Sequence, residues 1–239
     1  MKAIIRLLAI AMMVCLPTGL CAQGTITRPK KPKKQTTASA KKQQKPQANL
    51  TPEQMHKKGD EAKSYTEALK WYRKAAEKGY APAQYDVGRM YDCGYGVAEN
   101  KAEAARWYRM AAEQGNKDGI YWLAFCYKNG QGVAKDSAEA ARWYRKGAEN
   151  GDTSSMIQFA IMCYKGDGIP KDYSEAYKWF SRVSQIKDSE DADLYLGLMY
   201  EFGNGVPMDK AEAKRRYQKI VAGGGGWRNA AQAGLDRLK

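Results

Sequence analysis

Side chains capable of acid–base or nucleophilic chemistry are few in this sequence, and their spacing does not assemble a catalytic group. His56 is the only histidine among 239 residues, so neither a histidine metal cluster nor a Ser/His or Cys/His pair is available. The chain also lacks Gly-x-Ser-x-Gly, the phosphate-loop signature and Cys-x-x-Cys. A pair of carboxylates could still cleave a bond without histidine. We predict no catalytic residue, no metal site and no cofactor.

The five cysteines divide between the first 22 residues and the region that follows. Cys93, Cys126 and Cys163 remain if the first segment is removed, one in each of three successive repeats. Equivalent positions of stacked helical repeats are about 8–10 Å apart, whereas a disulfide needs Cα atoms within about 7 Å. The spacing therefore predicts that these three cysteines are buried, unbridged thiols.

The region that contains Cys93, Cys126 and Cys163 is built of tandem sequence repeats. A tryptophan followed by a second aromatic residue, inside an alanine-rich segment, returns at Trp71, Trp107, Trp143 and Trp179, and the fifth copy carries Arg216 instead. Successive copies are separated by 36, 36, 36 and 37 residues. A fixed period of this length indicates tandem copies of one supersecondary unit. We interpret the tryptophans as core residues that pack between repeats.

Each repeat contains the start and stop signals of two helices. The second helix begins with a capping box, in which Ser, Asn or Asp is followed three residues later by Glu. The apolar residues behind it, such as Ala68, Trp71 and Tyr72, recur at helical spacing. The first helix ends at a Gly-x-Gly pair, where glycine permits a left-handed backbone. The boxes are Ser64/Glu67, Asn100/Glu103, Asp136/Glu139, Asp172/Glu175 and Asp209/Glu212, and the glycine pairs are Gly94/Gly96, Gly130/Gly132, Gly166/Gly168 and Gly203/Gly205.

The block Leu-Gly-x-x-Tyr-x-x-Gly-x-Gly-Val followed by Ala-x-x-Trp-Tyr-x-x-Ala-Ala-x-x-Gly resembles the Sel-one-like repeat family, a relative of the tetratricopeptide repeats. The resemblance covers about Lys57 to the C-terminus. It implies an all-α fold, a right-handed α/α superhelical solenoid of four to five helix pairs with a C-terminal cap helix. Two departures, Arg216 for Trp and Lys187-Asp188-Ser189 for a Glu-x-Gly turn, predict a disturbed last interface. The expected units are 51–79, 80–115, 116–151, 152–188 and 189–224, with the cap helix at 226–238.

The first 50 residues differ in composition from the repeats. Residues 1–22 combine a basic start, an apolar run and helix breakers, which is typical of a secretory signal peptide. A lipid anchor at Cys21 is the alternative, which Leu20 before it disfavours. Residues 23–50 are rich in Lys, Pro and Gln and predict a disordered tether. Of the formal net charge of +14, Arg28 to Lys45 carries +8, so the basic character belongs to the tail and nucleic acid is not an expected partner.

In the solenoid that the resemblance implies, the first helices line the inner wall. On one of them, Tyr85, Arg89 and Asp92 fall opposite the face that carries Ala83 and Val87. We predict a groove with a charged entrance at Arg89 and Asp92 and an aromatic patch beyond it. The alternative is that these residues only pack between neighbouring first helices. The candidate partner-binding residues are Tyr85, Arg89, Asp92, Tyr121, Trp122, Phe125, Lys128, Ile161, Tyr195 and Leu198.

Three functions fit this sequence. We favour a non-enzymatic, monomeric scaffold or adaptor that binds a partner protein or peptide in its concave groove, exported to the periplasm or envelope of a bacterium or secreted. The second is a structural protein whose basic tail tethers it to an anionic envelope surface. The third is a β-lactam-binding enzyme or cell-wall hydrolase, as proposed for cysteine-rich members of the resembled family. Those members carry two cysteines per repeat, a pattern absent here.

Overall fold

The structure is a computed structural model that describes residues 50–239. The predicted signal peptide at 1–22 lies outside these residues, as does nearly all of the predicted tether at 23–50. Within residues 50–239 the chain forms eleven α-helices and no strand, which confirms the all-α fold class. The helices are α1 (Pro52–Asp60), α2 (Tyr65–Glu77), α3 (Ala81–Cys93), α4 (Lys101–Glu113), α5 (Lys117–Asn129), α6 (Ser137–Glu149), α7 (Thr153–Lys165), α8 (Tyr173–Ile186), α9 (Glu190–Phe202), α10 (Lys210–Gly223) and α11 (Arg228–Arg237).

The helices belong to two compact units. Among the described residues, the N-terminal unit comprises 50–126 and 131–134, and the C-terminal unit comprises 127–130 and 135–239. In the N-terminal unit, alanines and Tyr72 of α2 pack with Val87 of α3 and Trp107 of α4. In the C-terminal unit, the core beside α11 is formed by Leu194, Ala213, Tyr217, Ile220 and Ala231. The alanines allow close helix approach, and the aromatic rings fill the space that remains.

Every second helix begins at the predicted cap, but the predicted capping box forms only in part. The cap side chain accepts a hydrogen bond from the backbone N–H of the Glu three residues later, as in Asn100 with Glu103. Only α1 has the complete reciprocal box, between Thr51 and Gln54. Three of the five repeat glutamates instead accept the indole N–H four residues ahead, whereas Glu67 accepts the backbone N–H of Lys63. The glutamate–indole pairs are Glu103–Trp107 at 2.8 Å, Glu139–Trp143 at 3.0 Å and Glu175–Trp179 at 2.7 Å.

The indole hydrogen bond explains how tryptophan can be a packing residue here. A residue four positions after the Glu lies on the same helix face, so the carboxylate can satisfy a donor that packing removes from water. Trp107 and Trp179 are buried, as predicted. Trp71 and Trp143 are only half-buried, and lysine side chains lie over their rings. The core interpretation therefore holds for two of the four tryptophans and in part for the other two.

The second glycine of each Gly-x-Gly pair lies against the start of the second helix of the preceding repeat. A methyl group placed on Gly96 would lie 2.6 Å from the backbone nitrogen of Thr66, which is closer than side-chain atoms approach. Gly132 meets Lys101 and Ala102 in the same way. These glycines also have φ near +70°, a left-handed backbone that other residues adopt only with strain. The glycine loop of each repeat is therefore in direct contact with the backbone of the preceding repeat.

A backbone hydrogen bond closes each glycine loop onto the helix before it. The N–H of the cap residue donates to the carbonyl nine residues earlier, as in Asn100 to Tyr91 at 2.9 Å. The same bond recurs, also at 2.9 Å, from Asp136 to Tyr127, from Asp172 to Cys163 and from Asp209 to Tyr200. This backbone hydrogen bond therefore connects the first helix of a repeat to the start of its second helix without the help of any side chain.

The last repeat is packed despite its departures, with ion pairs in place of the aromatic contact. Arg216 keeps the bond to the glutamate four residues earlier, Glu212 at 2.7 Å, and its Nη1 also donates to Asp193 at 2.6 Å. The Asp193 side chain is 3% exposed and also contacts Lys219 at 2.9 Å. The sequence-based expectation of a disturbed last interface is therefore wrong at Arg216, because its guanidinium reaches the acid of the neighbouring first helix.

Helix α1 is attached to α3 through the single histidine. His56 Nε2 lies 2.7 Å from Asp86 Oδ2, and its Nδ1 lies 3.7 Å from Asp60. Burial alone would lower the pKa of His56, but the hydrogen bond and charge of Asp86, with the charge of Asp60, outweigh it and raise the pKa. The histidine is therefore a structural residue whose charge strengthens the contact between the two helices.

The glycine contact predicts an unequal cost for two alanine substitutions. At Gly115 the backbone is left-handed but nothing lies within 4 Å of an added methyl group, so Gly115→Ala reports backbone strain alone, about 1–2 kcal/mol. Gly132→Ala adds a backbone clash, and we expect it to lower the free energy of unfolding by about 2 kcal/mol more. Urea unfolding of both variants beside the wild type checks this. Equal losses would show that the close approach is not required.

The raised pKa of His56 predicts a pH-dependent stability. A raised folded-state pKa stabilises the protein fully below the unfolded value of about 6.5, and that contribution is lost as the pH rises through the folded value. We expect His56→Gln to remove this part of the pH dependence. Thermal midpoints of both proteins between about pH 5.5 and 9 should differ most at the acidic end. Parallel curves would contradict the assignment of charge to His56.

Candidate functional site

An aromatic cluster lies on α5 in the N-terminal unit. Tyr121 and Trp122 meet edge to face with ring centroids 5.3 Å apart, and Trp122 and Phe125 do so at 5.2 Å. All three side chains are half-buried. The rings hold one another in a fixed arrangement, as edge-to-face pairs do. The structure therefore brings these three predicted site residues together on one helix.

Tyr85 of α3 connects this cluster to the charged residues of the same helix. The side chain of Trp122 lies near enough to the Tyr85 hydroxyl to lower its pKa slightly against the effect of burial, and the Arg89 guanidinium lies 5.7 Å from the Tyr85 ring centroid. Burial raises the pKa of Tyr85 to about 12. The hydroxyl therefore stays protonated at neutral pH and is able to donate. Tyr85, Arg89 and the α5 rings form one continuous patch within the N-terminal unit.

The charged entrance expected at Arg89 and Asp92 is not an exposed surface. Arg89 is 4% exposed and Asp92 is 5% exposed. The helical wheel placed both residues opposite the alanine face, but it takes no account of neighbouring helices and residues that cover that side. Asp92 makes a salt bridge of 3.0 Å to Lys101, which reaches back from the start of α4. The expectation of water-facing charges is therefore corrected to buried charges.

The two buried charges differ in how well they are satisfied. Asp92 has Lys101 as its partner, whereas Nε and Nη2 of Arg89 have no hydrogen-bond partner among the residues that the structure describes. The hydroxyl of Tyr108, on α4, is also buried, and no described residue is its hydrogen-bond partner. Tyr108 follows Trp107 and is the second residue of the aromatic pair in its repeat. Its hydroxyl is the feature that reasoning from periodicity passed over.

The predicted residues of the C-terminal unit are mostly packed rather than exposed. Tyr195 stacks on Phe180 with centroids 4.8 Å apart and meets Tyr164 edge to face at 5.2 Å. Ile161 is buried, while Leu198 is half-buried. Lys128 donates to Gln158 at 2.8 Å. For Ile161 and Tyr195 the alternative considered from the sequence, packing between helices, describes what the structure shows.

The cysteines follow the prediction at two of three positions. Cys126 and Cys163 are free and buried, and burial raises the pKa of their thiols to about 12 and about 11. At neutral pH such thiols are almost entirely protonated and are poor nucleophiles. Cys93 is disulfide-bonded, so the expectation of a free thiol there is wrong. Its bond is not to either of the next two repeats, in keeping with their predicted spacing.

Residues 50–239 contain neither a candidate metal site nor a candidate membrane span. No group of three His, Cys, Asp or Glu side chains in this range is placed to hold a metal ion. In the same part of the chain, no helix is both long enough and apolar enough to cross a membrane.

The Sel1 repeat model matches residues 48–80, 81–116, 117–152, 153–183 and 191–224. One similar solved structure is c5321, a protective antigen present in uropathogenic Escherichia coli strains displaying an SLR fold, with 33% sequence identity and a TM-score of 0.68. A second is a Sel1 repeat protein from Oxalobacter formigenes, with 32% identity and a TM-score of 0.67. The match to the Escherichia coli protein covers 78% of this chain and 39% of that protein. The match to the Oxalobacter formigenes protein covers 73% of this chain and 74% of that protein. No curated protein matches the chain.

The matched segments follow the helix pairs, with one first helix and one second helix in each. They include the repeat with Arg216, so the polar replacement lies within the family pattern. By its five matched repeats and by its structural neighbours, this chain belongs to the Sel1 repeat family, whose members generally serve as scaffolds for protein–protein interaction.

Proposed function

We propose that this protein is a non-enzymatic adaptor that binds a partner protein or peptide through the first helices of its repeats. The observation that supports this most directly is the cluster of Tyr121, Trp122 and Phe125, three half-buried aromatic rings fixed against one another on α5. The ring faces left to water can bury an apolar side chain of a partner. Tyrosine and tryptophan are enriched among the residues that dominate binding energy at protein interfaces.

The form of the surface favours a peptide segment over a small molecule. The rings lie along one helix face, and the patch continues onto α3 through Tyr85. An elongated patch of this kind suits an extended or helical segment, which contributes anchors at successive positions. In the C-terminal unit, half-buried Leu198 is the residue we propose as a further apolar contact. Lys128, Ile161 and Tyr195 act there by supporting the helix surface.

We further propose that the protein is exported and acts as a monomer without catalysis. The composition of residues 1–22 supports export, and the similar Escherichia coli protein is described as a protective antigen. Antibodies reach antigens outside the cytoplasm, so an exported location agrees with that description. The two buried thiols, with their raised pKa values, argue against cysteine catalysis of the cysteine-rich β-lactam-binding type.

The adaptor proposal predicts that removing two rings abolishes capture without unfolding the protein. We expect the full chain with Tyr121→Ser and Phe125→Ser to lose at least about tenfold in affinity for partner peptides, because each truncation removes an apolar contact surface. Peptides selected from a display library on the wild-type protein supply the probe, and circular dichroism should remain native.

A matched control removes exposed apolar side chains elsewhere. Ile186 and Met208 are 54% and 60% exposed and lie outside the cluster. The Ile186→Ser, Met208→Ser variant should bind the selected peptides as the wild type does. Equal loss in both double variants would mean that capture is non-specific adhesion, and full binding by the cluster variant would refute the proposed site.

The basic tail supports a second candidate function, attachment to an anionic envelope surface. Residues 28–45 carry eight basic side chains and no acid. A run of this kind binds anionic headgroups with about 1 kcal/mol per basic residue near the surface, and salt screens the attraction.

Deletion of residues 28–45 should therefore release the protein from vesicles that contain anionic lipid. Cosedimentation at low salt measures this, with neutral vesicles as the control. Binding that survives the deletion, or that salt does not weaken, would count against tethering by the tail.

A further inference from the structure

The Arg89 side chain is a buried cation of the N-terminal unit, and its one ion pair in the described part of the chain is a long contact of 4.0 Å from Nη1 to Asp86. It is 4% exposed, and among residues 50–239 neither Nε nor Nη2 has a hydrogen-bond partner. A guanidinium carries a full charge under all ordinary conditions and presents a planar fork of donors. Burying that fork without acceptors is costly, so an acceptor of matching shape and charge is expected to complete it.

The carboxylates nearest to Arg89 are committed to other partners. Asp86 Oδ1 is 4.0 Å from Arg89 Nη1, and Oδ2 of the same group is bound to His56 at 2.7 Å. Asp92, also buried, is paired with Lys101 at 3.0 Å. Neither acid supplies the two acceptors that Arg89 lacks. These two donors are therefore available to an acceptor that Asp86 and Asp92 do not supply.

A second orphaned donor accompanies the arginine. The Tyr108 hydroxyl is buried and has no hydrogen-bond partner within the described part of the chain. The Tyr108 ring centroid is 6.0 Å from that of Tyr85, and the Arg89 guanidinium lies over the Tyr85 ring. Burial raises the pKa of Tyr108 well above its ordinary value, so the hydroxyl remains a donor. Arginine and tyrosine side chains together offer the N–H and O–H donors that a carboxylate accepts.

These donors adjoin the aromatic cluster. Tyr85 contacts Arg89 through its ring and lies near Trp122, which in turn packs between Tyr121 and Phe125. An anionic group at Arg89 would thus leave the next part of the same ligand beside the rings. The site offers one charged anchor point and one apolar anchor point in a single unit.

We propose that Arg89 and Tyr108 bind the carboxylate of a glutamate side chain in the partner peptide, while a neighbouring apolar side chain of that peptide packs on the α5 aromatic cluster. The inference rests on the proposed peptide-binding function and specifies its ligand. A long side chain is required because the donors are buried and the peptide backbone remains outside. The chain's own tail cannot supply this group, since residues 1–50 contain no Asp or Glu.

The test uses peptide display with the full chain as the target. The library consists of random twelve-residue peptides fused at both ends, so that no free terminal carboxylate is present. We expect selected sequences to combine Glu with a large apolar residue at a fixed spacing. The best sequence is then made as a fluorescent peptide with blocked termini, together with its Glu→Gln version, for anisotropy titration.

Arg89→Met is the decisive variant, because it keeps much of the side-chain volume and removes the charge. It should bind the Glu peptide at least about tenfold more weakly than the wild type and should no longer distinguish Glu from Gln. Tyr108→Phe should weaken binding less. Arg106→Met, an exposed arginine of the same unit that is paired with Glu103, should leave binding unchanged.

Stability provides a readout that separates binding from folding. A buried charge with only a long ion pair does not stabilise the free protein, so Arg89→Met should melt at or above the wild-type temperature, and the Glu peptide should raise the melting temperature of the wild type only. A variant that melts well below the wild type would show that Arg89 supports the fold, and would overturn the proposal.

The remaining outcomes separate this inference from the broader function. Selection of apolar peptides without Glu would refute the carboxylate site and leave the adaptor function standing. Selection of no peptide at all would refute both. A second library with free C-termini addresses the other source of a carboxylate: if only that library yields binders, the ligand is a chain end and the glutamate proposal is wrong.

Discussion

The structure depends on one steric constraint, the contact of a loop glycine with the backbone of the preceding repeat. At Gly132 and its equivalents no side chain fits, and the left-handed φ near +70° excludes most other residues as well. This contact sets the separation of consecutive repeats before any side chain is considered. Aromatic residues in the second helices then fill a space whose width the glycines have already fixed.

Arg216 replaces one of these aromatic residues. It occupies the position of tryptophan in the last repeat and keeps the bond that the indole makes, to the glutamate four residues earlier. Its remaining donors meet Asp193 of the neighbouring first helix, an acid that has no counterpart of this kind beside the tryptophans described above. Hydrogen bonds and ion pairs of an arginine thus take the place of the packed tryptophan at this interface. In this chain the same repeat position is therefore occupied by tryptophan in four copies and by arginine in the fifth.

The period, the helix starts and the glycine ends could all be predicted from the sequence, because each depends on residues close together in the chain. The fate of Arg89 and Asp92 could not, since a helical wheel shows which residues share a face but not how deeply neighbouring helices cover that face. The second arm of each capping box was also mispredicted. In three repeats the glutamate bonds the indole N–H four residues ahead instead of the backbone N–H of the cap residue. Such competition depends on packing, which spacing alone does not encode.

Internal repetition makes the unpaired donors of the N-terminal unit informative. The position of Tyr108 recurs as Tyr217 in the last repeat, where the hydroxyl donates to Glu201 at 2.7 Å and Arg237 completes the group at 2.6 Å. The position of Arg89 recurs as Leu198, which has no charge to satisfy. The same framework therefore accommodates satisfied solutions at both positions. A buried arginine and a buried hydroxyl without acceptors lower the free energy of unfolding of the free protein. A ligand that supplies the acceptors would raise that free energy again when it binds.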